Sequence, residues 1–338
     1  MVRRLWCHLS LCLAVILVYP VGRKLVLSPW LQPLSNINMG PGAENTPDEG
    51  HSQFALHNPT LVKTLDPGLL PQGDSSVAGT SSSRRLVFVG DVHGCRDELE
   101  RLLRKLSFNP NNDHLILTGD LINKGPDSLG AVDLARRYSA SCVRGNHEDR
   151  ILRLRRKIVA PSSAVDDDEV EEEKKHVARD RPLALALSDD QTRWLEACPV
   201  ILKIGRVPGM GQVAVVHGGV VPGVELEKQD PGSVMTMLTI DSKTGEPSSK
   251  RGRGDKWAKV YNKHQSAMLT KSHPQEKEED ITTIIYGHDS KNSLSLKKYT
   301  KGLDSGCVKG GQLTALVVGA GGQQEIVQVE CVGYSGKE

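Results

Sequence analysis

From Arg84 onward, short apolar runs alternate with stretches whose apolar residues recur at helical spacing. The first run, Leu86–Val89, ends at a glycine, and leucines then recur every three or four residues over Asp97–Leu106. The same alternation predicts strands at His114–Thr118, Ala140–Arg144, Val200–Ile204, Val213–Val216, Ile281–Tyr286, Leu313–Val318 and Glu325–Val332, and helices at Ser128–Tyr138, His147–Lys157 and around Trp194. Strands that alternate with helices indicate a layered α/β fold.

The N-terminus has a different pattern, a single apolar run from Leu5 to Gly22 between two pairs of basic residues. The run is close to the ~20 residues that span a bilayer, and no good small-x-small cleavage site follows it. We therefore expect residues 1–27 to be an uncleaved signal anchor. A cleaved signal peptide remains an alternative, and the equal basic flanks leave the orientation open.

Two further segments lack sustained periodicity. Residues 28–83 are rich in Pro, Gly, Ser and Asn, which predicts a flexible stalk. The remaining residues, 84–338, are enough for one large domain. Inside that domain the run VDDDEVEEEKK predicts a solvated acidic loop over residues 161–180.

Composition excludes some classes of function. The formal net charge is only +2 and aromatic residues make up 4% of the chain, so neither a general nucleic-acid surface nor a base-stacking platform is indicated. None of the seven cysteines forms a CxxC pair, which argues against a zinc ribbon. We expect the cysteines, Cys307 included, to be small buried residues, and they do not indicate the redox compartment.

The candidate chemistry lies directly after five of the predicted strands. Each apolar run ends in a glycine or histidine motif that carries metal-ligand side chains: LVFVGDVHG, LILTGDLINKG, VRGNHE, VAVVHGG and TIIYGHD. In open α/β sheets the carboxyl ends of strands meet at one rim, so these side chains are expected to lie together. The candidate ligands are Asp91, His93, Asp120, Asn146, His217 and His288.

This donor set consists of oxygen and imidazole nitrogen atoms without a thiolate. It suits Zn, Mn, Co or Fe better than Ca. Two such cations need a shared ligand, and a carboxylate can bridge them. Paired cations ~3.5–4 Å apart can act on both the attacking and the leaving oxygen of a phosphoryl displacement.

The motifs GDVHG, GDLINKG, GNHE, HGG and GH, in this order, resemble those of the calcineurin-like metallophosphoesterases of the phosphoprotein-phosphatase type. The resemblance implies a four-layer αββα sandwich with a dinuclear metal site at the strand ends. It also implies that Asp91 and His93 bind one metal, that Asn146, His217 and His288 bind the other, and that Asp120 bridges. His147 is similar to the histidine that protonates the leaving oxygen, and an ordinary histidine pKa would suit that role.

The chain departs from the protein phosphatases where they carry Asp-Arg, because Asn123 and Lys124 stand there. By resemblance Asn123 orients His147 without a charge, and Lys124 binds phosphate as a point charge rather than through a bidentate fork. Binding by a lysine places fewer demands on phosphate geometry than binding by a bidentate arginine, which suits a substrate with many similar phosphates. No second phosphate-binding arginine is evident, and Arg251 and Arg253 are candidates only.

Taken with LDSGCVKGGQLTAL near the C-terminus, these motifs look like the ApaH-like branch, and the anchor and stalk resemble the fungal vacuolar endopolyphosphatases. The resemblance implies hydrolysis of inorganic polyphosphate with zinc favoured as the metal, and a vacuole-membrane protein with a luminal catalytic domain. Diadenosine polyphosphates or capped RNA are the second substrate class, and phosphoproteins the third. A phosphate-polymer-binding protein without activity would be expected to lack metal ligands, and none of the six is missing.

Overall fold

Two β-sheets face each other in this protein, and helices cover their outer faces. The computed structural model describes residues 59–71, 84–159, 171–271 and 281–334. The strands are β1 Val62–Thr64, β2 Arg85–Val89, β3 Asp113–Leu117, β4 Ser141–Cys142, β5 Ile201–Val207, β6 Gly211–Val215, β7 Thr239–Ile240, β8 Pro247–Ser248, β9 Asp255–Lys256, β10 Thr282–Tyr286, β11 Ser295–Leu296, β12 Thr300–Gly302, β13 Gln312–Val318 and β14 Gln324–Glu330. The helices are α1 Arg96–Lys105, α2 Ser128–Arg137, α3 Asn146–Val159, α4 Glu171–Ala186, α5 Asp189–Glu196, α6 Pro231–Thr236 and α7 Trp257–Lys271.

The first sheet has the strand order β14-β13-β2-β3-β4, and the second has β1-β5-β6-β10-β12-β11. In the first sheet β2, β3 and β4 run parallel, and in the second β6, β10 and β12 run parallel. A third, small sheet of β8, β7 and β9 lies within residues 239–256.

Alternation along β2 shows how the layers form. Val87 and Val89 pack with buried residues of α1, α2 and α3, whereas Leu86 and Phe88 pack with residues of β5 and β6 in the other sheet. On the far side, residues of β6 and β10 pack against α6 and α7. Because successive side chains on a strand face opposite ways, each sheet buries both of its faces. The predicted four-layer αββα sandwich is confirmed.

The domain begins earlier than the sequence indicated. Within the predicted stalk, β1 pairs in parallel with β5, Leu65 is buried, and the Leu65 amide donates to the Lys203 carbonyl at 2.8 Å. A strand of three residues is too short to show periodicity, which is why this segment was assigned to the stalk. The stalk prediction is therefore wrong for residues 59–71, and the rest of it lies outside the described residues.

The predicted acidic loop over 161–180 is also wrong in its second half, because α4 spans Glu171–Ala186. The charge run and Pro182 inside the helix obscured it, since proline usually ends a helix. Asp180 of this helix is buried. Residues 160–170 lie outside the described part of the chain.

Four cysteines form two disulfides, Cys142–Cys198 and Cys307–Cys331, and the free Cys95 is buried. The expectation of unpaired, small buried residues is wrong for these four. The partners are 56 and 24 residues apart in sequence, and only the fold brings their Cα atoms to 5.3 and 5.2 Å. The first disulfide ties the end of β4 to the start of β5, and the second ties the segment before β13 to the end of β14.

These disulfides make a direct prediction for thiol chemistry. When the unreduced protein is unfolded in guanidinium and alkylated, Cys95 should be modified and the four paired cysteines should not. Reduction before alkylation should add label at all four, which peptide mass spectrometry would locate. Label on Cys142 or Cys331 before reduction would contradict the pairing.

Among the described residues, no helix has the length and apolar character that crossing a membrane requires. The predicted signal anchor, residues 1–27, lies outside them.

Candidate metal centre

Five strand ends bring the predicted ligands to one rim. Asp91 follows β2, Asp120 follows β3 and Asn146 follows β4 in one sheet, while His217 follows β6 and His288 follows β10 in the other. All five strands run in the same direction within their sheets, so their carboxyl ends converge. The predicted ligands, His93 included, therefore lie close to one another, and His147 lies beside them.

Asp120 is at the centre of this group. Its Oδ2 lies 3.3 Å from His217 Nε2, 3.5 Å from His93 Nε2 and 3.9 Å from His147 Nε2. Asp120 belongs to two groups of possible ligand atoms, and each group is compact enough to hold one cation. His93 and His147 complete one group, and His217 and His288 complete the other. A carboxylate shared by both clusters is what the bridging role requires.

Backbone carbonyls set the tautomer of the three candidate histidine ligands. His217 Nδ1 donates to the Thr118 carbonyl at 2.9 Å, His93 Nδ1 donates to that of Ile122 at 3.3 Å, and His288 Nε2 donates to that of Thr236 at 3.1 Å. In the neutral form of each ring, the other nitrogen is then the one that can bind a cation. Such outer contacts orient histidines as metal ligands.

Burial and like charge favour a cation at this site. Burial raises the pKa of Asp91 well above its usual range, and the neighbouring carboxylates of Asp304 and Asp120 add to this effect. Burial opposes protonation of His217, but Asp120 and Asp91 raise its pKa to about 10. A divalent cation would neutralise these carboxylates and replace the proton on the imidazole. The donor set and its charge thus fit a metal centre.

The backbone of the site adopts conformations that side chains rarely take. Five of the eight non-glycine residues with left-handed φ in the described ranges lie here: His93 (47°), Asp120 (49°), Asn123 (75°), Lys124 (71°) and His288 (68°). Each such residue costs of order 1–2 kcal/mol unless its surroundings hold it. The tight turns aim the ligands into one small volume.

Two glycines of the motifs act through close packing rather than through φ. A Cβ on Gly145 would lie 2.3 Å from Asp120 Oδ1, and one on Gly287 would lie 2.1 Å from Asp91 Oδ1. Side chains at either position would displace a candidate ligand. Of the glycines that directly follow these strands, Gly119 has a left-handed φ, at 92°.

Glu148 holds the turn that carries Asp120. Its carboxylate accepts from the amides of Asp120 at 2.8 Å, Ile122 at 3.1 Å and Gly145 at 2.9 Å. Burial and the charge of Asp120 raise its pKa to about 7, although these amide contacts oppose the shift. Glu148 therefore positions the candidate bridge without touching the cavity.

Lys124 lies directly over the ligand cluster, as predicted for a phosphate-binding residue. Its Nζ is 3.1 Å from His93 Nε2. Enclosure of the ammonium lowers the pKa of Lys124, an effect that Asp120 and Asp91 oppose and that the charge of Lys309 increases.

His147 is positioned by a network that the sequence did not reveal. Arg150 Nη2 donates to His147 Nδ1 at 3.3 Å, and Arg150 Nε donates to Asp180 Oδ2 at 2.5 Å. Asn123 Nδ2 also donates to Asp180, at 3.1 Å. Asn123 therefore reaches His147 through Asp180 and Arg150, and the expected direct contact is not among the described hydrogen bonds.

This network decides where the His147 proton lies. Arginine has no acceptor, so Nδ1 must accept and the ring proton is on Nε2, which faces Asp120. Burial lowers the pKa of His147 to about 2, with Lys124, His93 and Arg150 adding to the shift. The ring is thus a neutral Nε2–H donor, not the imidazolium that an ordinary histidine pKa led us to expect.

Asp180→Ala tests this network. It removes the buried acceptor of Arg150 and Asn123, so we expect about 2–4 kcal/mol less stability and a fall in kcat of about tenfold, with bound metal unchanged. Urea denaturation, steady-state kinetics and metal analysis would check this. Asp190→Ala, which removes an exposed partner of Arg193 and Arg136, should cost under ~1 kcal/mol. Equal effects of the two substitutions would contradict the network.

A cavity of about 120 Å³ opens over the cluster. It is lined by Asp91, His93, Asp120, Lys124, Asn146, His147, His288, Ser290, Asp304, Gly306, Val308 and Lys309. Sequence reasoning missed Asp304 and Lys309, although both lie in the LDSGCVKGG segment that contributes to the family resemblance. Arg251, a candidate for phosphate binding, instead pairs with Asp289 beside His288. Two larger clefts, of about 550 and 470 Å³, contain none of the predicted site residues.

Comparison with known proteins agrees with this site. Residues 84–293 match the calcineurin-like phosphoesterase family. The chain is 27% identical to the zinc-dependent endopolyphosphatase of Saccharomyces cerevisiae over 283 residues, which cover 75% of this chain and 82% of that protein. It is 29% identical to the symmetrical bis(5'-nucleosyl)-tetraphosphatase of Baumannia cicadellinicola over 272 residues, covering 68% and 88% of the two chains.

A crystal structure of a protein assigned provisionally as a diadenosine tetraphosphatase superposes with a TM-score of 0.58 at 31% identity, covering 82% of this chain and all of the other. The family match spans more than half of the chain, and the ordered motifs, the αββα layers and the ligand cluster all agree with it. Calcineurin-like metallophosphoesterases are metal-dependent hydrolases of phosphate esters and anhydrides, and this chain belongs to that family.

Proposed function

We propose that this metallophosphoesterase hydrolyses phosphoric anhydride bonds and that inorganic polyphosphate is its substrate. The observation that carries the proposal is the lining of the site cavity. Within the described residues, that lining has no Phe, Tyr or Trp on which a nucleobase could stack, and it presents Lys124 and Lys309 to an anion. Polyphosphate offers only charge and oxygen atoms, which a lining without aromatic residues and with two lysines would suit.

The likeness to the yeast zinc-dependent endopolyphosphatase supports the same substrate. The Asn123-Lys124 pair supports it as well, because a lysine accepts equivalent phosphates along a polymer without a fixed fork geometry.

The residues of the site would act as follows. Asp91, His93, Asp120, Asn146, His217 and His288 would hold two divalent cations, with zinc favoured by the yeast relative and Mn, Co or Fe as alternatives. When bound, such cations polarise phosphoryl oxygens and supply a nucleophilic water near neutral pH. Lys124 would bind the oxygens of the phosphate under attack. His147 would donate its Nε2 hydrogen bond to the leaving phosphate oxygen as the P–O bond breaks, and Arg150 and Asp180 would keep that proton on Nε2.

A dinucleoside polyphosphatase is the second candidate. It is favoured by the bis(5'-nucleosyl)-tetraphosphatase relatives, which cover most of this domain. For this substrate the nucleoside ends would have to lie outside the cavity, because a volume of about 120 Å³ does not hold a nucleoside beside the phosphates.

An activity panel tests the proposal. The purified full-length protein would be stripped of metal, re-supplied with Zn²⁺, Mn²⁺, Co²⁺ or Mg²⁺, and assayed on long polyphosphate, diadenosine tetraphosphate and a phosphopeptide. We expect the highest kcat/KM on polyphosphate, with intermediate chain lengths on gels if cleavage is internal. Higher activity on the phosphopeptide than on either anhydride would contradict the proposal.

We further propose that the catalytic domain resides in an oxidising lumen, such as that of the vacuole, behind the N-terminal anchor. The two disulfides support this, since such bonds persist mainly in oxidising compartments. Protease protection of a C-terminal tag in intact membranes would check it. A tag that is digested without detergent would contradict a luminal domain.

A further inference from the structure

Lys309 lines the metal-site cavity and comes from a turn rather than from a strand end. It closes a short 3-10 turn, Cys307–Lys309, in the connection between β12 and β13. The turn is bounded by Gly306 and Gly310, both left-handed with φ of 74° and 86°. This conformation lets the chain reverse sharply on each side, so that the turn projects its lysine at the cavity.

The turn is firmly held. The disulfide Cys307–Cys331 joins its first residue to the end of β14. The Cys331 amide donates to the Gly311 carbonyl at 2.9 Å, and the Tyr334 amide donates to that of Val308 at 2.7 Å. Lys309 is therefore an exposed side chain on a fixed base, unlike an ordinary surface lysine on a mobile loop.

The charge of Lys309 is not neutralised by the protein. Its Nζ donates to Ser290 Oγ at 2.9 Å, and Ser290 lies two residues after His288. No carboxylate lies within ion-pair distance of this ammonium in the part of the chain that the structure describes. Lys124 faces the same cavity, so two like charges flank the metal cluster, and a bound polyanion would relieve their repulsion.

We propose that Lys309 binds the phosphate adjacent to the one held by Lys124 at the metal cluster, so that the site selects substrates with at least two linked phosphates. This inference rests on the proposed anhydride hydrolysis and names the residue that would make it selective. Lys124 is within hydrogen-bond distance of the candidate ligand His93, whereas Lys309 bonds to Ser290, a lining residue that is not a candidate ligand. The two lysines thus occupy successive positions along a phosphate chain that enters the cavity.

Lys309→Ala tests this by comparing two substrates of the metal-loaded full-length enzyme. On tripolyphosphate, kcat/KM should fall about 10–100-fold, mainly through KM, because a charge-assisted hydrogen bond is lost. On p-nitrophenyl phosphate, which has one phosphate, kcat/KM should change less than about twofold. Lys309→Arg should restore most of the tripolyphosphate activity, and the exposed Lys297→Ala should behave as wild type on both substrates. Unchanged metal content and Tm would show that the variants are folded.

Two results would overturn the inference. One is a Lys309→Ala enzyme that retains wild-type kcat/KM on tripolyphosphate, and the other is an equal loss on both substrates, which would indicate a role in shaping the metal site. A different result would show that the proposed anhydride hydrolysis itself is wrong. In that case the wild-type enzyme would cleave p-nitrophenyl phosphate but neither tripolyphosphate nor diadenosine tetraphosphate.

Discussion

Asp120→Asn should abolish activity, with kcat lower by about 10³-fold or more, and should leave the protein with at most one bound metal. The carboxylate faces His93, His147 and His217, and it is the one side chain shared by both ligand clusters. An amide keeps the shape but loses the charge and one ligand oxygen. Each 1.36 kcal/mol of lost stabilisation is tenfold in rate, and paired cations contribute several kcal/mol.

The measurement is metal content by mass spectrometry alongside kcat on polyphosphate. Asp133→Asn is the matched control, because this exposed carboxylate on α2 pairs, among the described residues, with Arg136 alone. It should retain wild-type metal content and activity. An Asp120→Asn enzyme with two bound metals and normal kcat would contradict the bridging assignment.

His147→Ala should lower kcat by about 10²–10³-fold while both metals remain bound. The ring adjoins Asp120, and its proposed role is to donate a hydrogen bond from Nε2 to the leaving oxygen, a contribution comparable to that of one preorganised oxyanion donor. The pattern of full metal content with low kcat separates this variant from Asp120→Asn.

His176→Ala is the control for the histidine substitution, since the hydrogen bond described for His176 is with Arg179 and the residue does not line the cavity. It should leave kcat unchanged. Loss of one metal in the His147→Ala enzyme would instead make His147 a ligand, as its place in the Asp120 cluster allows. That outcome would contradict its assignment as the donor.

The candidate metal ligands could be predicted from the sequence because they belong to short motifs that follow apolar strands. A strand of four or five β-branched and aliphatic residues, such as Leu86–Val89, is visible without any tertiary information. The rule that strand ends converge then places Asp91, Asp120 and His288 together although 197 residues separate the first from the last. The layered fold follows from the same alternation.

The residues that hold the candidate ligands in place, and those that complete the cavity, could not be predicted in this way. Asp180 lies in a charged, proline-containing segment that predicts no helix, and it touches Asn123 only because α4 packs against α3. Lys309 and Asp304 belong to a turn without periodicity. The left-handed φ of Asp120 and His288 is imposed by hydrogen bonds to Glu148 and Asp91, which are distant in sequence.

The disulfides show the same limit. Cys142 is the last residue of β4, and Cys198 lies three residues before β5, which belongs to the other sheet. Nothing in their spacing along the sequence indicates a pair. Pairing depends on the distance between Cα atoms in the folded chain. The sequence therefore identified the candidate ligands, and packing determined how they are held.

Anomalous diffraction at the zinc edge, on crystals of the zinc-loaded protein, tests the dinuclear site most directly. We predict two peaks ~3.5–4 Å apart, both in contact with the carboxylate of Asp120. One should also contact Asp91 and His93, and the other Asn146, His217 and His288. A single peak, or two peaks that do not share Asp120, would contradict the account.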